Sequence, residues 1–194
     1  MSSSATTETP RGRPSRAKVL GLSSGAAVAV AAVVIVSVLT GGGVTASACR
    51  ASSSLVGEGV TAFHAPGLAG GTVSAPWAHR RAGVVIFFAS WCGPCKAEMP
   101  RVADFLRAHS QSPVEVVGVD ALDARGSALG FVNRIGVGFP VAFDPNGTVT
   151  TGVFKFQTLP ETVFVDSRGV VRVVYYGAIT TGCLVTDVSA IKPA

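Results

Sequence analysis

Apolar positions change their period several times along the chain, and each change marks an element. From Val19 to Leu39 small apolar residues run almost unbroken and uncharged, densest in AAVAVAAVVIVSVL, until Gly41–Gly43 end the run. A helix of that length in a water-soluble core needs a polar stripe, and none is present, so the segment is expected to meet a membrane. Ala82–Ala89, AGVVIFFA, is a short apolar run rich in β-branched and aromatic residues, which predicts a strand buried on both faces. Met99, Val102, Phe105 and Leu106 then recur at helical spacing, with Arg101, Asp104 and Arg107 on the wet side.

The alternation repeats downstream. Val114–Val119 predicts a strand, and Ala124–Ile135 a helix with Leu129, Phe131, Val132 and Ile135 inward and Gly136 as its stop. Pro140–Phe143 is a short candidate strand before an Asp144-Pro145-Asn146-Gly147 turn. Thr162–Val165 and Val170–Tyr176 are separated only by Asp166-Ser167-Arg168-Gly169, a joint short enough to force an antiparallel hairpin. Strands alternating with helices and then a hairpin predict an α/β fold around a mixed sheet. The stretch from Thr61 to the first strand shows no strong period. A final helix is poorly written in Ala178–Ala194, which holds Thr180-Thr181-Gly182 and ends in Lys192-Pro193-Ala194.

These patterns divide the chain into a basic tail over 1–18, a transmembrane or signal segment over 19–48, a linker over 49–60 and one domain over 61–194. The polar tail carries Arg11, Arg13, Arg16 and Lys18 against Glu8, a composition that predicts disorder and, by the positive-inside rule, a cytoplasmic N-terminus with the domain outside. No adjacent arginine pair suggests a twin-arginine signal. Ala46-Ser47-Ala48 fits a small-x-small cleavage site, and Cys49 directly after it resembles the lipid-accepting cysteine of a bacterial lipoprotein, although Ala46 stands where a bulky aliphatic residue is usual. Cleaved, lipidated and uncleaved forms all remain open at this level.

Charge removes one class of function. The formal net charge is +5, but outside the tail 12 basic residues face 10 acidic ones, and no basic stripe interleaved with aromatics occurs. A nucleic-acid partner is not expected.

Chemistry concentrates in FASWCGPCKAEMP, residues 88–100. Cys92 and Cys95 have the spacing of half a zinc site, but the other candidates, Cys49, Cys183, His64, His79 and His109, are single and scattered, so no metal is expected. A structural disulfide suits an exported chain. Position argues instead for redox chemistry. Cys92 falls where a buried strand ends and a helix begins, so unpaired N–H groups at the positive helix end favour its thiolate. Pro94 suits the first helical turn. Cys92 is then the attacking sulfur and Cys95 the resolving one. Glu98, three residues beyond Cys95, shares its helix face.

With these residues in view, roughly residues 60–180 resemble the thioredoxin superfamily, in particular its extracytoplasmic TlpA, ResA and CcmG (DsbE) branch. Trp91-Cys92-Gly93-Pro94-Cys95 matches the superfamily signature, Glu98 and Pro100 match the branch, and Leu159-Pro160-Glu161-Thr162 matches its cis-proline loop. The resemblance implies a thioredoxin fold, a central mixed sheet flanked by helices. It implies a partly buried Glu98 exchanging protons with Cys95. It further implies a cis Pro160 facing the disulfide, substrate pairing at the Leu159 backbone, and Trp91 as an apolar wall beside Cys92. Glu161 is either a determinant of partner choice or an exposed loop acid. Lys96 and the histidines are expected to be surface or structural residues.

The implied activity is thiol–disulfide exchange without a cofactor. The branch usually reduces exported protein disulfides, including those of apocytochrome c, with electrons from a membrane thiol donor. Two alternatives accompany that reading: an oxidant that inserts disulfides, or a non-catalytic binding module. A peroxidase would rest on a lone peroxidatic cysteine rather than this pair. Cys49 and Cys183 are left as a second bridge, a lipid site plus an odd thiol, or two free thiols.

Overall fold

The structure is a computed structural model and describes Cys49 and residues 51–191. The expected tail over 1–18 and the whole of the expected transmembrane or signal segment over 19–48 lie outside those residues. Among the described residues no helix is long and apolar enough to cross a membrane.

The central sheet has five strands in the order β5-β4-β3-β6-β7. They are β3 (Gly83–Phe88), β4 (Glu115–Ala121), β5 (Val141–Asp144), β6 (Glu161–Val165) and β7 (Val171–Tyr176). β3 pairs in parallel with β4, and β4 with β5; β6 and β7 run antiparallel, with Val85 opposite Val163 at the β3–β6 seam. Every residue of β3 is buried, as an apolar run at the centre of a two-sided sheet requires. The hairpin between β6 and β7 turns at Gly169, whose φ of +83° lies in the left-handed region open to glycine.

Among the described residues three α-helices accompany the sheet: α1 (Gly93–Ala108), α2 (Arg125–Ile135) and α3 (Thr181–Ile191). Their apolar residues join Val84, Ile86 and Phe88 in one core. The alternate residues Val85 and Phe87 point to the opposite core, filled by Phe63, Trp77 and Phe154 with rings edge-on to one another. Helix α2 stops at Gly136, φ +63°, as the sequence requires.

Three stretches are more ordered than their sequence implies. The aperiodic segment after Thr61 forms a hairpin of β1 (His64–Pro66) and β2 (Thr72–Ser74), strands too short to show a period. Residues 51–60, read as a linker, run beside β7 through backbone bonds such as Ala51 N–H to Val174 O and Gly57 N–H to Val171 O. The poorly written C-terminal helix does form. Cys183, Leu184, Val188 and Ile191 give α3 a buried face, and tertiary packing overrides the weak propensity of Thr-Gly at its start.

Candidate active site

At the end of β3 the chain leaves the sheet through Ala89, Ser90 and Trp91 and turns into α1 at Cys92. Cys92 is the N-cap, with extended backbone (φ −76°, ψ 113°), and its Sγ accepts the Cys95 N–H at 3.1 Å. A cap lies outside the helix while facing its first amides, so the sulfur sits where the helix is most positive. Pro94 occupies the first turn. Cys92 and Cys95 are joined as a disulfide, with their Cα atoms 5.3 Å apart. Cys92 is 4% exposed and Cys95 wholly buried, so Cys92 is the sulfur nearer solvent.

Glu98 lies one turn on, fully buried. Its Oε1 accepts the Ile179 N–H at 3.1 Å, while Oε2 has no partner. Burial pushes its pKa up from 4.5 to about 7, against the opposing pull of the Ile179 amide and Arg101. Loss of hydration penalises the charged form more than one amide compensates. A carboxyl that changes charge near neutrality therefore stands on the helix face of Cys95.

The Leu159–Pro160 peptide is cis. The last β3–β6 pair is Phe87 with Glu161, so Pro160 precedes β6 at the same sheet end where Phe88–Cys92 leave β3. Leu159 is half-buried and packs against both cores. Trp91 is 59% exposed; its indole N–H donates to Leu122 O, so it forms a fixed rim beside Cys92 rather than part of the core. Topology thus brings Trp91, Cys92, Cys95, Leu159 and Pro160 to one end of the sheet.

Glu161 departs from the exposed-acid alternative. It is the first residue of β6 and fully buried, accepting the Gln157 N–H at 2.9 Å, and burial raises its pKa. Its side chain supports the loop before Pro160 from within. Lys96, His64 and His79 are on the surface, and His109 stacks on Phe105.

Cys49 and Cys183 resolve to a second disulfide, both residues buried. In this bridged form the Cys49 sulfur is not open to lipid. No group of three or more potential metal ligands occurs among the described residues. A groove of about 1050 Å³ lies at the opposite sheet end, around Phe105, His109, Pro113 and Glu115, away from Cys92 and Cys95.

Sequence reasoning passed over Asp120 and Asp123. Asp120, the last residue but one of β4, lies opposite Phe88 and is fully buried, and the Asp123 carboxylate accepts the Ser90 N–H at 2.6 Å. The available signal was an acid inside the apolar run VEVVGVDA, where a strand buried on both faces has no wet side for it.

Comparison with known proteins agrees with this architecture. Among curated relatives, the thiol-disulfide oxidoreductase ResA of Oceanobacillus iheyensis is 34% identical over 113 residues, 57% of this chain and 58% of that protein. ResA of Geobacillus kaustophilus is 28% identical over 59% of this chain and 66% of its own length. The chain thus spans roughly three-fifths of these relatives. Among solved structures, MTB DsbF superposes with a TM-score of 0.61 at 30% identity, covering 67% of this chain and 95% of that one. A thiol:disulfide interchange protein DsbE from Chlorobium tepidum gives 0.62 at 26% identity, covering 70% and 96%. The fold is thioredoxin-like, and because residues 56–174 match the AhpC/TSA family, the chain belongs to that family.

Proposed function

We propose that this protein is an extracytoplasmic thiol–disulfide oxidoreductase whose redox pair is Cys92 and Cys95. The observation that carries the reading is the cysteine pair at a strand-to-helix cap, with a buried carboxyl of pKa about 7 on the same helix face. The names of its ResA and DsbE relatives support it.

The Cys92 thiolate, favoured by the helix end, attacks one sulfur of a substrate disulfide. A bond forms between Cys92 and that sulfur, and the other substrate sulfur leaves as a thiolate and takes a proton. Cys95 gives up its proton, with Glu98 as acceptor, and attacks Cys92. The second substrate sulfur departs, leaving the substrate with two thiols and the protein with the Cys92–Cys95 bridge; two electrons have moved. Trp91 and the Leu159–Pro160 loop border the approach, where an extended substrate segment pairs with the Leu159 backbone. No cofactor takes part.

Reduction is the proposed direction, with exported protein disulfides, those of apocytochrome c among them, as substrates and a membrane thiol protein as electron donor. Gly93-Pro94 between the cysteines supports this as the dipeptide of reducing thioredoxins. The extracytoplasmic, membrane-tethered location draws on the apolar segment at Val19–Leu39 and on the second disulfide, which suits an oxidising compartment.

The reduction potential of the Cys92/Cys95 couple tests the direction. A value near that of thioredoxin, about −270 mV, is expected; one near −120 mV makes the protein an oxidant. Protease added to sealed cells should cut the domain, and protection there would place it inside.

A further inference from the structure

A buried carboxyl, Asp120, and a half-buried one, Asp123, stand behind the turn that presents Cys92. Asp120 is fully buried, and neither of its oxygens meets an N–H or O–H donor. Its polar neighbour is Asp123, whose own oxygens accept the Ser90 N–H at 2.6 Å and the Ala124 N–H at 2.7 Å. Burial without a donor disfavours the charged form of Asp120, and the nearby Asp123 carboxylate disfavours it further. Asp120 has no donor to stabilise a charge, so it holds the proton.

The segment also grips the turn itself. Leu122 O accepts the Trp91 indole N–H at 3.2 Å, and Leu122 holds φ +51°, a left-handed conformation unfavourable for a leucine. Leu122 and Asp123 therefore fix Ser90 and Trp91, the two residues before Cys92. Charge from other elements offers little relief. Arg125, at the start of α2, attracts Asp120, but its guanidinium donates to Gly67 O and Leu68 O and lies over Phe143, 4.2 Å from the ring centre. On β5, Asp144 accepts the Val149 and Thr150 amides.

We propose that Asp120 carries a proton and that it and Asp123 act together as positioning residues, holding the Ser90–Trp91 turn, and through it Cys92, in place while that proton remains. Loss of the proton sets two like charges against each other, draws Asp123 from the Ser90 amide and loosens the turn. Burial, with Asp123 as the second cause, raises the Asp120 pKa from 3.8 to about 8. The pair is thus a proton-linked element separate from Glu98, and its importance for exchange rests on the oxidoreductase reading.

The test uses the full chain with its disulfides formed, so that no cysteine titrates. Trp91 emission, obtained as the difference between wild type and Trp91→Phe, is followed from pH 6 to 10. A transition centred near pH 8 is expected, retained in Glu98→Gln and lost in Asp120→Asn. A transition that survives Asp120→Asn, or its absence from the wild type, overturns the proposal. The reduced proteins are then assayed on a small aromatic disulfide: the exchange rate of Asp120→Asn should lose a pH inflection near 8 that the wild type shows. Wild type without any exchange sinks the oxidoreductase reading alone, since the emission result does not depend on activity.

Discussion

Cys92–Cys95 and Cys49–Cys183 lie in the same apolar core, yet they differ in almost everything else. The first joins residues 3 apart, the second residues 134 apart. By loop-closure entropy, a bridge over a few residues restricts the unfolded chain by about 2 kcal/mol, and one over more than a hundred by about 5. The short bridge is therefore a weak staple and the long one a strong staple. Surroundings divide them in the opposite sense. Cys92 is a helix N-cap whose sulfur accepts the Cys95 N–H, whereas Cys183 lies inside the first turn of α3 and its own N–H donates to the Thr180 hydroxyl; a buried acid stands near each, Glu98 and Asp187, so the cap is what separates them. Within one core, chemistry follows local electrostatics while stability follows chain topology.

The largest effect that would break this contrast is loss of exchange. Cys92→Ser should lower insulin-disulfide reduction by at least about 100-fold, because no thiolate remains to attack. Cys95→Ser should accumulate mixed disulfides visible by non-reducing electrophoresis. Retained turnover in Cys92→Ser would move the chemistry to the other pair or elsewhere. The same substitutions should shift the denaturant midpoint only modestly.

Replacing both Cys49 and Cys183 with Ser should do the reverse. Unfolding in urea is expected to lose about 3–5 kcal/mol, with exchange at 25 °C changed less than roughly threefold. The N-terminal segment beside β7 should open first, seen as faster amide exchange at Ala51 and Gly57, which donate to Val174 and Val171. Unchanged stability would mean that the bridge is not the staple its loop length makes it.

The two pairs were not equally legible in the sequence. Cys92 and Cys95 announce themselves because strand, turn, Pro94 and helix are local patterns, and the cap geometry follows from them. The partner of Cys49 lies across the whole fold, so no spacing could name it. The same distinction runs through the architecture. β3, α1, α2 and the β6–β7 hairpin were readable from period and turn residues. The β1–β2 hairpin was not, since three residues carry no period, and α3 is faint in the sequence because its helix is secured by packing rather than propensity. Glu161 and Asp120 show the matching limit at the site: a carboxyl's burial depends on what folds over it, and a strand-end acid reads as a surface residue until the neighbouring loops are placed.

The smallest expected effect sharpens the contrast at Glu98. Its folded pKa of about 7 exceeds its ordinary value of 4.5, so between those pH values the native state holds more proton than the unfolded chain. Stability should therefore fall as pH rises from about 4.5 to about 7 and then level off with respect to this group. Glu98→Gln keeps the shape and a carbonyl for the Ile179 amide but has no charge to bury. At pH 8 it should be more stable than wild type by on the order of 1–3 kcal/mol, with the difference closing towards pH 5. In the reduced protein the same change removes a negative charge near the thiols, so the apparent cysteine pKa values, followed by thiolate absorbance at 240 nm, should drop. The Cys49–Cys183 pair supplies the internal control: Glu98→Gln in the double serine background should shift the thiolate curve by the same amount. Coincident curves for wild type and Glu98→Gln would make Glu98 a buried support for the Ile179 amide and would leave the helix end alone to activate Cys92.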